Sequence, residues 1–439
     1  MIPAPIIGTT MTTTMTTTMT ERLTVLLYGQ TVGHLERSGT DDPSFTYTTE
    51  YAAAGRAPVS SRLPITVQTY RPDRVLPYLR GLLPENLQTR QQWAAGLGTS
   101  PDDAFGLLAA MGWDCPGAVQ FTPEDHVTEL QARAAELNPL TEHDIAERLR
   151  FLQDQPASWT MPGEHWSLGG QQEKFALTWV QGQWHEAGGS AATTHIVKPG
   201  IKVLHHQALV EHVTMRAAAA TGVSVAASRL LPFEDQWAIV IDRFDRATSG
   251  DRVFRLHQED FCQALGRLPE KKYESAGGPG LRDMAGLVRK QMTQPEDDLR
   301  ALADFLAVNV VAGAPDGHAK NISLILGPDG SRWIAPLYDL ATGLAYDAGT
   351  VERSVALSVG GERIFSRIRG KQWDKAAQIL GLDPELVRRR VAALATGFPA
   401  AFESALDDVS DAPGAADVAE RTLPVLQKHC SEVLDRLAE

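Results

Sequence analysis

Three side chains in the second half of this sequence could together transfer a phosphoryl group. Asp316 is followed five positions later by Asn321, and Asp339 ends a short apolar stretch beyond the next turn. An aspartate can accept the proton of an attacking hydroxyl. Asparagine and aspartate oxygens can hold the magnesium that neutralises charge on a transferring phosphate. The Asp-to-Asn spacing is that of a protein-kinase catalytic loop, so we interpret Asp316 as the base, and Asn321 and Asp339 as metal ligands.

Three earlier features could bind the phosphates of a nucleotide. The segment Ser167–Lys174 contains Gly169 and Gly170 directly before a predicted strand, and paired glycines let backbone N–H groups approach phosphate oxygens closely. Lys198 ends a second apolar strand. Glu211 lies on the next predicted helix, where it could pair with Lys198 as a strand lysine and a helix glutamate do in protein kinases.

Each feature alone also has a plainer explanation. Two glycines are often only a turn, a lysine after a strand is often on the surface, and an Asp-Gly pair is often a solvated turn. Asp339 could simply cap a turn. The order of the features, spread over about 170 residues, is the order in a kinase and favours phosphoryl transfer.

The elements that must position these residues are mixed. Strand and turn patterns begin at Leu23, and a charged segment of helical period covers 126–150. Strands then alternate with one helix between 166 and 246. Beyond 257 the pattern is mostly helical, and the helix over 302–310 is apolar nearly all round, which is typical of a buried helix. It ends at a Gly-Ala-Pro break directly before Asp316.

Size and charge limit the class of protein. A chain of 439 residues is too long for one hydrophobic core. No apolar run predicts a membrane span. The formal net charge of -13 argues against coating nucleic acid by bulk electrostatics. The arginine-rich segments 363–371 and 388–390 are either local DNA contacts or, as is more common for charge runs, solvated helix faces.

The three cysteines indicate the redox compartment. They are widely spaced and odd in number, which argues against a disulfide scaffold and a structural zinc site. A reducing cytoplasm suits this pattern.

Several of these segments resemble the HipA family of toxin kinases. Asp316–Asn321 reads Asp-Gly-His-Ala-Lys-Asn, a family hallmark, and Ser167–Lys174 is similar to the family's phosphate loop. The resemblance runs from about residue 23 to the C-terminus. Further segments that carry it are Leu82–Glu85, Asp114–Val119, Arg243–Arg246, Gln258–Asp260, Lys272–Glu274 and Gly277–Gly280.

The resemblance implies an α+β chain with a two-lobed protein-kinase-like fold. An N-terminal β-rich subdomain would precede the lobes, and the C-terminal lobe would be all-α. The implied division is a disordered leader at 1–22, the N-terminal subdomain at 23–125, the kinase N-lobe with a connecting helix at 126–250, and the helical C-lobe at 251–439.

The resemblance also implies ATP and Mg²⁺ as cofactors and transfer of phosphate to a protein serine or threonine. Lys198 would contact the nucleotide phosphates, and Asp242 and Phe244 would meet adenine through backbone groups. Ser167 matches a serine that family members autophosphorylate to eject the loop and switch the kinase off. The other implied nucleotide-binding residues are Leu168, Gly169, Gly170, Gln171, Gln172, His318, Lys320, Asn321 and Asp339.

The partners implied by the resemblance are those of a toxin–antitoxin pair. They are a small helix-turn-helix antitoxin of the HipB type, operator DNA bound through that complex, and a host protein substrate such as glutamyl-tRNA synthetase. The segment between Lys198 and Glu211 is shorter than is usual in the family, which affects the choice of target more than the catalysis. Two alternatives remain: a corepressor whose kinase activity is minor, and a small-molecule phosphotransferase.

Overall fold

The N-terminal residues form an antiparallel sheet covered by helices. The structure is a computed structural model that describes residues 20–132, 135–161, 163–250 and 252–439. The sheet has the strand order β3-β2-β1-β4. Strand β1 begins at Thr20, so the last three residues of the predicted leader form strand, while residues 1–19 lie outside the described ranges. The elements are β1 (Thr20–Leu27), β2 (Gln30–Ser38), β3 (Ser44–Tyr47), α1 (Thr49–Ala54), α2 (Pro72–Gly81), α3 (Leu87–Leu97), α4 (Ala104–Met111) and β4 (Val119–Thr122).

A six-stranded antiparallel sheet forms the N-lobe, in the order β5-β7-β6-β8-β10-β9. One long helix, α7, is buried along most of its length between this sheet and the C-lobe. A two-stranded ribbon follows the sheet. The elements are α5 (Val127–Ala132), β5 (Ala135–Leu140), α6 (Glu142–Asp154), β6 (Phe175–Val180), β7 (Gln183–Gly189), β8 (His195–Lys198), α7 (Gln207–Ala220), β9 (Ser228–Phe233), β10 (Gln236–Asp242), β11 (Arg246–Ser249) and β12 (Arg252–Arg255).

The connecting segment differs from its helical prediction. Strand β5 separates its two helices and pairs with β7 at the edge of the N-lobe sheet. Pro139 lies within β5. Proline lacks the N–H that an interior strand must donate, so it is compatible with an edge strand and not with a helix interior.

The C-lobe is predominantly helical, and it also carries two small sheets that an all-α lobe would lack. Helix α10 has three acidic residues in its first turn, which interact favourably with the helix dipole. The elements are β13 (His257–Asp260), α8 (Phe261–Ala264), α9 (Leu281–Gln291), α10 (Pro295–Val311), β14 (Ser323–Leu326), β15 (Arg332–Ile334), β16 (Ser354–Val359), β17 (Glu362–Ile364), α11 (Gly370–Leu380), α12 (Pro384–Asp407) and α13 (Ala415–Leu437).

Buried ion pairs join the N-terminal subdomain to the N-lobe. The carboxylate of Asp114 lies 2.8 Å from the guanidinium of Arg246, 2.9 Å from that of Arg255 and 3.3 Å from that of Arg243. Burial alone would raise the pKa of Asp114, but the three arginines outweigh it and hold the pKa well below its usual value. Because this carboxylate is buried, removing any one of the three arginines would leave its charge less well paired and would lower the free energy of unfolding.

His257, the first residue of β13, packs against the N-terminal subdomain next to this joint. Its Nδ1 accepts from the N–H of Ala118, and its Nε2 lies 2.9 Å from the carbonyl of Val59. Gly117 has a φ of 86°, and a Cβ there would come within 2.8 Å of the His257 ring. Burial lowers the pKa of His257 to about 4, so the ring is neutral at pH 7.

We expect acid to weaken this joint. Because the folded-state pKa lies below the ordinary value, the unfolded chain takes up the proton first as pH falls from 6.5 towards 4. At pH 5 this difference in protonation lowers the free energy of unfolding by about 2 kcal/mol. Urea unfolding at pH 7 and pH 5 measures it: His257→Gln should lose about 2 kcal/mol less on acidification than the wild type. Equal losses would contradict the assignment, and the exposed His205→Gln is the control.

Candidate active site

A cleft of about 530 Å³ separates the N-lobe sheet from the helical lobe. Its walls come from all three parts of the chain. The lining contains every residue predicted to bind nucleotide except Ser167. The predicted residues in the lining are Leu168, Gly169, Gly170, Gln171, Gln172, Lys198, Asp242, Phe244, Asp316, His318, Lys320, Asn321 and Asp339.

Lys198 lies between two carboxylates. Its ammonium is 2.8 Å from Glu211 on α7 and 2.8 Å from Asp339. Glu211 is 0% exposed and lies behind Lys198, outside the cleft lining. The predicted ion pair is therefore present. Burial would lower the pKa of Lys198, but Asp339 and Glu211 outweigh it and raise the pKa, which keeps the amine charged.

Asp339 follows the third strand of the small sheet β13-β14-β15 and has a φ of 57°. Aspartate is among the few residue types that tolerate this left-handed conformation, which is sparsely populated and often found at functional sites. Burial would raise the pKa of Asp339, but the nearby Lys198 lowers it to about 2. The carboxylate is thus ionised and directed into the cleft.

The loop that begins at Asp316 is closed by its own residues. The side-chain amide of Asn321 donates to the carbonyl of Asp316 at 2.8 Å, which ties the two ends together. A Cβ at Gly317 would lie 2.5 Å from the amide of Asn309 on α10, so the loop packs directly on the buried helix. Because the amide nitrogen of Asn321 is occupied, its oxygen remains as the possible metal ligand.

The Asp316 carboxylate accepts a hydrogen bond from the hydroxyl of Tyr273 at 2.7 Å. Its side chain is 58% exposed to the cleft. Partial desolvation raises the pKa of Asp316 above its ordinary value, while the Tyr273 hydrogen bond acts in the opposite direction. A raised pKa makes a carboxylate better suited to take up a proton from a substrate.

His318 and Lys320 project from the same loop with different roles. Burial lowers the pKa of His318 to about 3, so its ring is neutral, and its Nε2 lies 3.8 Å from Asp316. Lys320 is paired with Asp260 at 2.6 Å and lies 4.0 Å from Glu85 of the N-terminal subdomain. The Lys320 ammonium therefore reaches the cleft as part of an ion-pair network.

A hydrogen bond and close backbone packing hold the phosphate loop, Ser167–Lys174, against the N-terminal subdomain. Gly170 has a φ of 95°, and its carbonyl accepts from the N–H of Glu85 at 2.8 Å. A Cβ at Gly169 would lie 3.0 Å from the carbonyl of Gly81. Lys174 donates to the Gly169 carbonyl at 2.7 Å. Burial and the charge of Lys198 lower the pKa of Lys174 to about 7.

Ser167 is the predicted nucleotide-binding residue that lies outside the cleft lining. It is 0% exposed, and its hydroxyl donates to the carbonyl of Leu82 at 2.7 Å. Its N–H donates to the carbonyl of Asp114 at 3.0 Å. The start of the phosphate loop is thus held by the N-terminal subdomain, and Ser167 can reach a phosphate only if the loop moves.

The predicted adenine-binding segment lines the far end of the cleft. The N–H of Asp242 donates to the carbonyl of Ala227 at 2.9 Å. That N–H is therefore not available to an adenine ring. The ring of Phe244 stacks on Tyr338 with centroids 5.3 Å apart and an interplanar angle of 27°. These stacked rings form an apolar wall for a planar ligand.

Three groups that contact the site lie in segments that the sequence had marked only by resemblance. They are Glu85, Asp260 and the adjacent pair Lys272 and Tyr273. Lys272 is 2.8 Å from Glu85, which lies 187 residues earlier in the chain. Nothing in the local pattern of charges could have indicated such a contact.

Comparisons with known proteins match most of the chain. A family model described as the HipA-like C-terminal domain matches residues 166–402, and one described as the HipA N-terminal domain matches residues 23–122. A putative kinase of Sinorhizobium fredii, Y4mE, is 34% identical over 393 residues, which is 89% of this chain and 93% of that protein.

Two further comparisons involve Shewanella oneidensis. Its serine/threonine-protein kinase toxin HipA is 28% identical over 84% of this chain and 86% of its own length. The solved complex of Shewanella HipA, HipB and operator DNA contains a chain that superposes with a TM-score of 0.78 at 26% identity, covering 94% of this chain and 97% of the other. Together with the two domain matches, this shows that the chain belongs to the HipA family of kinases.

Proposed function

We propose that this protein is a serine/threonine protein kinase toxin that transfers the γ-phosphate of ATP to a hydroxyl of a host protein. The observation that carries the proposal is the convergence of Lys198, Asp316, Asn321 and Asp339 on one cleft. A corepressor without catalysis would not require an ionised Asp339 beside Lys198, or a base facing the same cavity. The relatives named as kinases support the same reaction.

Each residue of the proposed site has a separate role in phosphoryl transfer. Asp316 accepts the proton of the attacking hydroxyl. Lys198, held by Glu211, contacts the nucleotide phosphates, and the backbone N–H groups of the glycine pair help to seat them. Asn321 and Asp339 offer the oxygen donors that Mg²⁺ prefers, and the ion would neutralise charge on the phosphates when bound.

The proposed partners follow from the relatives. Shewanella HipA is seen with HipB and operator DNA, and we propose a HipB-like helix-turn-helix antitoxin and its operator for this chain. In the second arginine-rich segment, 388–390, each arginine is paired with a carboxylate: Arg388 with Asp374, Arg389 with Glu385 and Arg390 with Asp304. Binding of DNA through the antitoxin suits this better than direct binding.

The proposed compartment is the cytoplasm. The three cysteines are buried and free, which suits a reducing environment. Among the helices of the described residues, none is both long and apolar enough to cross a bilayer.

Labelled ATP tests the proposed function. The purified protein, ATP labelled at the γ-phosphate and Mg²⁺ are incubated with a host lysate, and labelled proteins are identified by mass spectrometry. Aminoacyl-tRNA synthetases, glutamyl-tRNA synthetase first, are the expected class. The Asp316→Asn variant is the matched control and should label its targets at least about 100-fold more slowly than the wild type. Absence of label in every protein, including the kinase itself, would refute the proposal. Growth arrest on expression separates a toxin from a corepressor.

We further propose that Ser167 is an autophosphorylation site. Ser167→Ala should retain ATP affinity, because the side chain lies outside the cleft, and it should stay active after long incubation with ATP while the wild type declines. A phosphoserine adds close to two negative charges, which cannot return to a buried position against a carbonyl.

The assay for this switch is transfer to an acceptor after increasing times of preincubation, with mapping of the phosphate. The matched control is Ser228→Ala, another buried serine, whose hydroxyl bonds to His212 at 2.9 Å. A phosphate mapped to another residue, or equal decline in Ser167→Ala and wild type, would disprove the switch.

A further inference from the structure

We propose that Tyr273 is a positioning residue that orients the Asp316 carboxylate towards the acceptor hydroxyl. The inference rests on the proposed kinase function and adds a residue to its catalytic arrangement. Tyr273 belongs to the loop between α8 and α9, 43 residues before Asp316 in sequence.

The carboxylate needs such a partner. The Asp316 side chain is 58% exposed, so packing alone does not restrict its rotation. Within the described part of the chain, the Tyr273 hydroxyl is the one side-chain donor within hydrogen-bond distance of this carboxylate, at 2.7 Å from Oδ1. His318 is the nearest basic side chain, but its ring is neutral and its Nε2 lies 3.8 Å from the carboxylate. It therefore does little to orient Asp316.

Tyr273 is held in place by contacts of its own and by contacts of its neighbour Lys272. Its ring meets His318 edge-on, with centroids 5.0 Å apart and an interplanar angle of 84°. Its carbonyl accepts from the N–H of Gly278 at 2.9 Å, and the carbonyl of its neighbour Lys272 accepts from the N–H of Ala319 at 3.2 Å. The Lys272 ammonium pairs with Glu85 at 2.8 Å. The hydroxyl therefore points to Asp316 from a position set by both the catalytic loop and the N-terminal subdomain.

This arrangement assigns different roles to the two carboxylate oxygens. Oδ1 accepts from Tyr273, which leaves Oδ2 for the acceptor. In transfer, the acceptor oxygen forms a bond to the γ-phosphorus as the bond to the β–γ bridging oxygen breaks, ADP leaves, and the acceptor proton passes to Asp316. Tyr273 keeps its own proton throughout. A freely rotating carboxylate would spend less time in this orientation, and small misplacements of catalytic groups cost up to about 100-fold in rate.

Tyr273→Phe tests the inference because it removes the hydroxyl and keeps the ring against His318. We expect kcat to fall roughly 10- to 100-fold, while KM for ATP and the thermal unfolding midpoint stay at the wild-type values. A purely structural role would instead lower the midpoint or raise KM. The matched control is Tyr51→Phe, which loses a tyrosine hydrogen bond to the carbonyl of Ala57 far from the cleft and should behave as wild type.

Two outcomes would overturn the inference. Unchanged kcat in Tyr273→Phe would show that Asp316 needs no such partner. An increased kcat would show that the Tyr273 hydroxyl occupies the acceptor's place. An inactive wild type would instead count against the proposed kinase function, so the two failures are distinguishable.

Discussion

Replacing Asp316 by asparagine is expected to lower phosphate transfer by about 10²- to 10⁴-fold, the usual contribution of general base catalysis and charge stabilisation. Asparagine has nearly the same shape, and its amide oxygen can still accept the hydrogen bond from Tyr273. It cannot take up the acceptor proton. Because the variant keeps the size of the side chain and its hydrogen bond to Tyr273, ATP affinity should remain near the wild-type value.

The measurement pairs two assays on the same preparations. Initial rates of transfer to an acceptor protein report the chemical step, and titration with ATP in the presence of Mg²⁺ reports binding. Asp329→Asn is a suitable control, since Asp329 is an exposed turn residue bonded to Ser331. Normal transfer by Asp316→Asn would remove this residue from the role of base.

Replacing Lys198 by methionine is expected to affect both stability and activity. The variant leaves Glu211, which is 0% exposed, without its cation, and Asp339 loses the same partner. Breaking a buried ion pair on one side typically costs about 3–5 kcal/mol. Loss of a charge that stabilises the transferring phosphate should also lower the rate by about 10²- to 10³-fold.

A double variant separates these two effects. Lys198→Met combined with Glu211→Gln removes the unpaired buried charge, so much of the lost free energy of unfolding should return, while the rate stays low. Urea unfolding and transfer rates measured together would show this. The exposed Lys290→Met is the control. If the double variant were as unstable as Lys198→Met, the burial of Glu211 would not be the source of the cost.

Much of the geometry of the candidate site could be predicted because its parts are local in sequence. Asp316 and Asn321 are separated by one short loop, and Asn321 bonds back to the Asp316 carbonyl. The strand that ends at Lys198 and the helix that carries Glu211 are consecutive, so their pairing follows from a short connection. Asp339 lies one hairpin later. Residue type and spacing are sufficient in such cases because few chain conformations satisfy both.

Other predictions failed or needed correction where contacts between segments distant in sequence determine the local structure. The segment before α6 has helical spacing, but β5 completes the N-lobe sheet, because an open sheet edge offers hydrogen bonds that a short polar helix does not replace. Ser167 belongs to the phosphate-loop sequence, yet its side chain is buried against Leu82. The roles of the nucleotide-binding residues remain predictions, which the variants described above test. The domain boundaries also remain predictions.

The sequence by itself indicated the class of chemistry, phosphoryl transfer, and the order along the chain of the residues proposed to perform it. Only the tertiary structure decided how Asp316 is oriented and how the phosphate loop is held. Tyr273, Lys272 and Glu85 come together from segments up to 187 residues apart. The physical reason is that strand and helix periodicity encode local backbone and burial, whereas a hydrogen bond or ion pair between domains depends on how their separate cores pack.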